Sequence, residues 1–262
     1  MKIPGNISYF FKIKQNNKLP DYLNKSILNN KEVPESYHIA KDYRQSLIKS
    51  DKKITTTDFG AGSKKIRTRE RKISKIASVC GTNEKYGLLF HKIVKHFQSS
   101  VLLELGTSVG IGTMCFASAS KQLNITTIEA CEHTCDFAKN NIKSTANIYN
   151  INFINNDFDT VLDSGFIKDK YDLVFIDGNH KGEILIKYYQ QIVKSYTKSQ
   201  FIIILDDINW SRDMYSTWEQ ITKLDKSKTY LNLYRTGLII SGYDTVPGHF
   251  TINFVNNRFC SR

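Results

Sequence analysis

The sequence predicts an α/β domain on a mostly parallel sheet, joined to a basic N-terminal extension. Three observations carry this expectation. From residue 84 onward, short apolar runs alternate with amphipathic stretches of helical period. Five of those runs end in or beside an acidic residue. Charge also divides the chain, because residues 1–83 hold 18 Lys+Arg against 7 Asp+Glu, whereas residues 84–262 hold 19 against 18. The chain is therefore read as an extension or cap over residues 1–83, made of helix and loop, and an α/β body over residues 84–262.

Composition excludes several classes. Of 262 residues, 40% are apolar and 24% charged, which suits a globular chain and is too apolar for a disordered one. The longest aliphatic stretch, Phe201–Leu205, is far short of the roughly 20 residues that cross a bilayer. The opening MKIPGNISYFFKIKQ lacks the continuous apolar run of a secretory leader. Cys80, Cys115, Cys131, Cys135 and Cys260 form no C-x-x-C pair and no regular framework. Reduced thiols, no zinc site, no membrane and a cytoplasmic setting are expected.

Each element has its own signal. Leu88, Leu89, Ile93, Val94 and Phe97 mark a helix over 84–97. Strands are expected at Val101–Leu105, Ile125–Glu129, Asn152–Asn156, Leu173–Asp177 and Phe201–Asp206, with helices over 113–121, 133–145, 158–165 and 181–195 between them. Such alternation implies right-handed crossovers and parallel pairing. After a helical stretch at 213–224, Tyr230–Tyr234 and Leu238–Ser241 are separated only by a turn around Gly237, so they should pair antiparallel.

In sheets of this kind ligands lie at the carboxyl ends of the strands. The acids there are Glu104, Glu129, Asp157, Asp177, Asp206 and Asp207. The first strand runs into Glu104-Leu-Gly106-Thr107-Ser108-Val-Gly110-Ile-Gly112, whose glycines allow a tight turn and close approach of a ligand to the backbone. Ser108 breaks the G-x-G-x-x-G spacing of a dinucleotide site, and no P-loop lysine follows. Glu129 stands 23 residues after Gly106, at the end of the second strand, where a carboxylate can accept both hydroxyls of a ribose. A nucleoside site is the expectation. A second glycine loop, Asp58-Phe-Gly60-Ala-Gly62-Ser, follows ITTT rather than an apolar strand and is read as a structured loop closing over the site.

ELGTSVGIGT, TTIEAC, INNDF, YDLVFIDGNH and ILDDINW, in this order over residues 84–241, resemble the class I S-adenosylmethionine-dependent methyltransferases. More narrowly, they are similar to the catechol and macrocin-type O-methyltransferases. The resemblance implies a Rossmann-like fold with a seven-stranded, mostly parallel sheet and an antiparallel C-terminal strand. It implies that Glu104, Gly106, Thr107, Ser108 and Gly110 surround the methionine part of the cofactor. Glu129 would hold the ribose, Asp157 and Phe158 would flank the adenine, and Asp177 would also touch the cofactor. Asp177, Asp206 and Asp207 fall where metal-dependent members keep Mg²⁺, and His180 falls where the catechol enzyme has its catalytic lysine. Asp207 replaces the catechol enzyme's Asn, and His180 replaces its Lys.

Methyl transfer to oxygen is an in-line displacement, for which the protein positions the nucleophile and takes its proton. A carboxylate-held cation lowers the hydroxyl's pKa, and imidazole side chains titrate near neutrality. His180 and Asp177 are therefore the expected catalytic residues, with a small hydroxylated acceptor, anionic in view of the basic extension. Trp210 is a candidate wall of the acceptor pocket. Two other readings stand beside this one. In the first, RNA is the acceptor, held by the cluster Lys64, Lys65, Arg67, Arg69, Arg71, Lys72 and Lys75. In the second, the chain is a cofactor-binding module without turnover.

Overall fold

The computed structural model describes residues 23–28, 32–58, 67–79, 81–145 and 150–252. The body unfolds in the expected order. Helix α3 (Glu84–Phe97) leads to β3 (Val101–Leu105), α4 (Ile111–Ala117), β4 (Asn124–Glu129), α5 (Glu132–Thr145), β5 (Asn150–Asn155) and α6 (Phe158–Asp163). Then come β6 (Tyr171–Ile176), α7 (Gly182–Ser195), β7 (Thr197–Leu205), α8 (Arg212–Leu224), β8 (Thr229–Asn232) and β9 (Gly237–Ser241). Helix starts follow cap chemistry: Asn83, Asp157 and Ser211 each accept a backbone N–H of the first turn.

The strand order is β10-β8-β9-β7-β6-β3-β4-β5. Strands β5, β4, β3, β6 and β7 pair in parallel. Strand β9 pairs antiparallel with both β7 and β8, as the turn at Gly237 required. The sheet carries eight strands, one more than the expected seven. The tail returns as β10 (Gly248–Thr251), parallel to β8, and covers an edge that would otherwise expose unpaired backbone groups.

The central strands alternate between two apolar layers. Leu173 and Phe175 of β6, with Ile202 and Ile204 of β7, face the layer of α3 and α4. Val174 and Ile176, with Ile203 and Leu205, face α7 and α8. Phe90, Phe116 and Phe175 form the centre of the first layer, with ring centroids 5.0–5.3 Å apart. Strand β3 obeys the same rule, which sends Leu103 and Leu105 to one layer and aims Glu104 beneath α4.

The extension departs from the helix-and-loop expectation. Helix α1 (His38–Ile48) and α2 (Ile73–Val79) are present, but between them β1 (Lys53–Asp58) and β2 (Arg67–Lys72) form an antiparallel ribbon. Ile54 and the three threonines after it are β-branched and favour extended backbone. The ribbon's free edge is met by Cys131, the residue before α5, since Thr57 N donates to Cys131 Sγ at 3.3 Å and the thiol donates to Thr55 O. Helix α1 joins the body's core through Ala40, Tyr43 and Leu47, and Tyr37, just before it, is buried in the same core. The closing-loop glycines, Lys64, Lys65, Cys80 and Cys260 lie outside the described residues. Cys115, Cys131 and Cys135 are free thiols. Among the described residues no helix is long and apolar enough to cross a membrane.

Candidate active site

The sheet ladder brings the carboxyl ends of four strands together. Gly106 N donates to Ile128 O (3.0 Å), Asp177 N to Leu105 O (2.9 Å) and Asp206 N to Ile176 O (2.9 Å). Gly106 has φ +106°, and a Cβ there would collide with the Asp177 carbonyl oxygen. This position therefore demands glycine on both conformational and steric grounds.

The glycine loop is pinned from three sides. Ser108 N donates to Glu129 Oε2 at 3.0 Å, while Glu129 Oε1 accepts from Cys131 N at 2.9 Å. Burial pushes the Glu129 carboxyl up, and those amide bonds oppose the shift. From the extension, Tyr43 Oη donates to Val109 O at 2.8 Å, and Arg44 Nε donates to Thr82 O at 3.1 Å. Gly110 carries φ +82° directly under the Tyr43 hydroxyl.

Glu104 is fully buried. Its Oε2 accepts from Thr113 and Thr127 hydroxyls, both at 2.6 Å, and Thr107 Oγ1 joins Thr127 at 2.6 Å. The Thr107 hydroxyl is thus spent inside this network. Glu104 Oε1 has no partner among the described residues and lies beside Gly112, where a Cβ would come within 3.1 Å. Burial raises the Glu104 pKa to about 7, against the two threonine hydroxyls. Gly81, Thr82, Gly106, Ser108, Gly112 and Asp177 surround a cavity of about 10 Å³. In this conformation the Gly81–Thr82 turn lies directly on the glycine loop.

Asp157 is exposed and caps α6, accepting from Thr160 N (2.8 Å) and Thr160 Oγ1 (2.7 Å), which lowers its pKa. Phe158 is half-buried. Its ring lies against Gly178, 2.7 Å from where a Cβ would stand, and meets Tyr188 edge-on at 6.0 Å.

The three aspartates at the next strand ends do not act as one set. Donor atoms of Asp177, His180 and Asp207 all lie within 4.8 Å of one another. Asp206 turns away, 2% exposed, into a clamp with Arg235. Its two oxygens accept from Arg235 Nε (3.1 Å) and Nη2 (2.6 Å), and Oδ1 also accepts from Thr236 Oγ1 (2.9 Å). Arg235 Nε additionally lies 3.1 Å from Asp207 Oδ1. Burial and the neighbouring carboxylates push the Asp177 carboxyl well up, and burial with Asp206 raises that of Asp207.

Sequence reasoning missed Arg235 and the residue that seats it. Tyr86 Oη donates to Leu233 O at 2.8 Å and accepts from Arg235 N at 3.2 Å, with the guanidinium 5.9 Å from the Tyr86 ring centre. The only local signal was an arginine in the turn between two paired strands. Trp210 stands 70% exposed, its ring centre 6.0 Å from that of His180.

Comparison with known proteins follows the geometry. Residues 103–208 match the family described as Methyltransferase domain. Among curated proteins no sequence matches the chain. Among solved structures, an O-methyltransferase of Streptomyces achromogenes involved in tomaymycin synthesis, in complex with S-adenosylmethionine, superposes with TM-score 0.54. It is 16% identical over 62% of this chain and 82% of its own. An O-methyltransferase of Bacillus cereus in complex with S-adenosylhomocysteine superposes at 0.54, with 17% identity over 85% and 96% of the two chains. An S-adenosylhomocysteine-bound methyltransferase of Podospora anserina reaches 0.58, with 13% identity over 82% and 91%. At these identities the likeness establishes the fold: a Rossmann-like α/β fold of the kind these methyltransferases share, within which residues 103–208 match the methyltransferase domain.

Proposed function

We propose that the protein methylates a hydroxyl oxygen of a small molecule. The convergence of Asp177, His180 and Asp207 within 4.8 Å, next to the glycine loop, carries this reading. Nucleophile activation needs such groups, whereas cofactor binding alone does not. The solved neighbours described as O-methyltransferases support the same class of acceptor.

The residues present fit the cofactor. The orphaned Glu104 Oε1 is a buried acceptor beside the loop, suited to the ammonium group of the methionine part. Gly106 and Gly110 leave the backbone bare. Glu129 stands where the ribose hydroxyls belong, Phe158 supplies an apolar face for the adenine, and Asp157 shapes that end as the α6 cap. The cofactor supplies an electrophilic methyl group.

His180 is assigned as the proton acceptor. Asp177 and Asp207 would hold a Mg²⁺ ion, which is usually bound by one or two carboxylates together with water and substrate oxygens. The ion would lower the pKa of the acceptor hydroxyl. Asp206 is assigned to the Arg235 clamp and keeps Asp207 in place. The free thiols support a cytoplasmic setting.

Release of S-adenosylhomocysteine with a panel of hydroxylated small molecules tests the reading. A His180→Ala variant should lose on the order of 10²-fold in kcat while binding S-adenosylhomocysteine normally. Turnover equal to wild type would remove His180 as the base. Failure of wild type to bind S-adenosylhomocysteine would remove the function itself. Calorimetry with Mg²⁺ should show binding to wild type and at least tenfold weaker binding to Asp207→Ala.

A further inference from the structure

Outside the reaction cleft, β2 and α2 border a groove of about 550 Å³. Arg69, Arg71, Lys72 and Lys75 line it, over an apolar floor of Ile76 and Val79. Arg69 and Arg71 are two residues apart on a strand, so they share one face at roughly 7 Å spacing. Among the described residues that line it Glu70 is the one acid, and it is committed to the neighbouring strand, 2.7 Å from Lys53 Nζ, while Lys72 has Asp51 4.0 Å away outside the groove. The four cations therefore keep a net positive field inside a concave surface, the arrangement that concentrates anions. Val79 is 71% exposed, an apolar surface within the same groove.

The groove also has a direction. Helix α2 ends at Val79, and Gly81, two residues on, lines the cavity beside the glycine loop. Two residues span at most about 7 Å, so Val79 of the charged groove and Gly81 of the cofactor cavity are close neighbours.

We infer that this groove binds the phosphate-bearing end of the methyl acceptor, with the reacting hydroxyl reaching past Gly81 toward the cleft. The inference rests on the O-methyltransferase reading and names its substrate class. A volume of about 550 Å³ falls within the range of about 300–1,000 Å³ for small-molecule sites. The floor of Ile76 and Val79 suits an organic group attached to the phosphate, which a purely electrostatic nucleic-acid track would not need.

Calorimetry with inorganic pyrophosphate, on the full chain saturated with S-adenosylhomocysteine, tests it. Wild type should bind saturably, more weakly as salt rises. Arg69→Glu/Arg71→Glu and Lys72→Glu/Lys75→Glu should each weaken pyrophosphate at least tenfold and leave S-adenosylhomocysteine affinity unchanged. Lys75→Glu alone, at an exposed helix position, keeps the test valid if a double variant fails to fold, and it should weaken binding severalfold. No saturable pyrophosphate binding at 50 mM salt, or equal binding in the variants, overturns the inference. A single-stranded RNA oligonucleotide bound far more tightly than pyrophosphate, through the same cations, would also overturn it in favour of a macromolecular acceptor. Loss of S-adenosylhomocysteine binding in wild type would instead condemn the methyltransferase reading, a separate and distinguishable failure.

Discussion

At the ends of β3 and β4, the chain answers its own carboxylates, Glu104 Oε1 alone excepted among the described residues. Glu129 takes two backbone amides, Glu104 takes two threonine hydroxyls, and a tyrosine from the extension holds the loop between them. At the ends of β6 and β7 the same kind of residue is handled differently. Three aspartates crowd one another around a single arginine, two non-glycine residues, Asn179 and Asp207, sit at positive φ (51° and 53°) against one, Ser108 (49°), at the first pair of ends, and a tryptophan is left open to solvent. Positive φ at residues other than glycine and crowding of like charges both cost free energy, and such costs collect where chemistry is done. The first half is built to hold a molecule still. The second is built to be completed by one.

Arg235 is where that contrast breaks with the largest effect. Arg235→Ala would leave Asp206, 2% exposed, with the Thr236 hydroxyl in place of a paired cation. Breaking a buried pair from one side typically costs about 3–5 kcal/mol. Denaturant unfolding should show a loss near the lower figure, because the guanidinium keeps some exposure to water. Removing both charges, as Asp206→Leu with Arg235→Met, should restore most of that stability and leave Asp207 misplaced, so turnover stays low. Full activity in the double variant would show that the clamp does not position Asp207.

The clamp also marks how far the sequence could be read. The strands, their order and the acids that close them are local signals, carried by apolar runs and the residues just beyond them. Asp177, Glu104 and Glu129 were legible for that reason. Asp206 and Asp207 are adjacent and chemically identical, so nothing local distinguishes them. They separate because the pairing of Leu205 with Gly237 brings in Arg235 from a distant turn, which grips Asp206 with two nitrogens and reaches Asp207 with Nε alone. Tyr43 on Val109 is the same kind of contact, joining a helix of the extension to the loop. The β1–β2 ribbon was missed because RTRERK has no apolar alternation to betray a strand, and its edge is settled by Cys131 from elsewhere.

Glu104 gives the next effect in size and sharpens the description of the first half. Its carboxyl is raised to about 7 from an ordinary 4.5 by burial. Between those values the folded chain keeps a proton that the unfolded chain has lost. The contribution to stability is therefore complete below about pH 4.5 and is lost as pH rises to about 7, at most ~3 kcal/mol in all. Buried His91 runs the other way. Burial lowers its pKa from 6.5 to about 4, so its contribution is full above pH 6.5 and is lost as pH falls toward 4. The two largely offset each other in wild type. Urea unfolding of Glu104→Gln across pH 4.5–8 should expose the His91 slope, with stability rising with pH more steeply than in wild type. Identical pH profiles would mean that Glu104 is ionised in the folded protein throughout.

Trp210 carries the smallest effect on stability and the most specific one on function. Trp218 is completely buried against Gly237, whereas Trp210 is 70% exposed and is held by its backbone, Trp210 N donating to Asp207 O at 2.9 Å. Removing an exposed side chain costs little, so Trp210→Ala should unfold within about 0.5 kcal/mol of wild type. An indole standing 6.0 Å from the His180 ring has a face free to pack on an acceptor. KM for the acceptor should therefore rise severalfold in Trp210→Ala and recover in Trp210→Phe, with S-adenosylhomocysteine affinity unchanged. Since Trp218 is shielded from water, acceptor binding should also quench the solvent-exposed part of the tryptophan emission, and that quenching should vanish with Trp210. If KM and quenching both survive the substitution, the open side of the cleft is not where the acceptor lies.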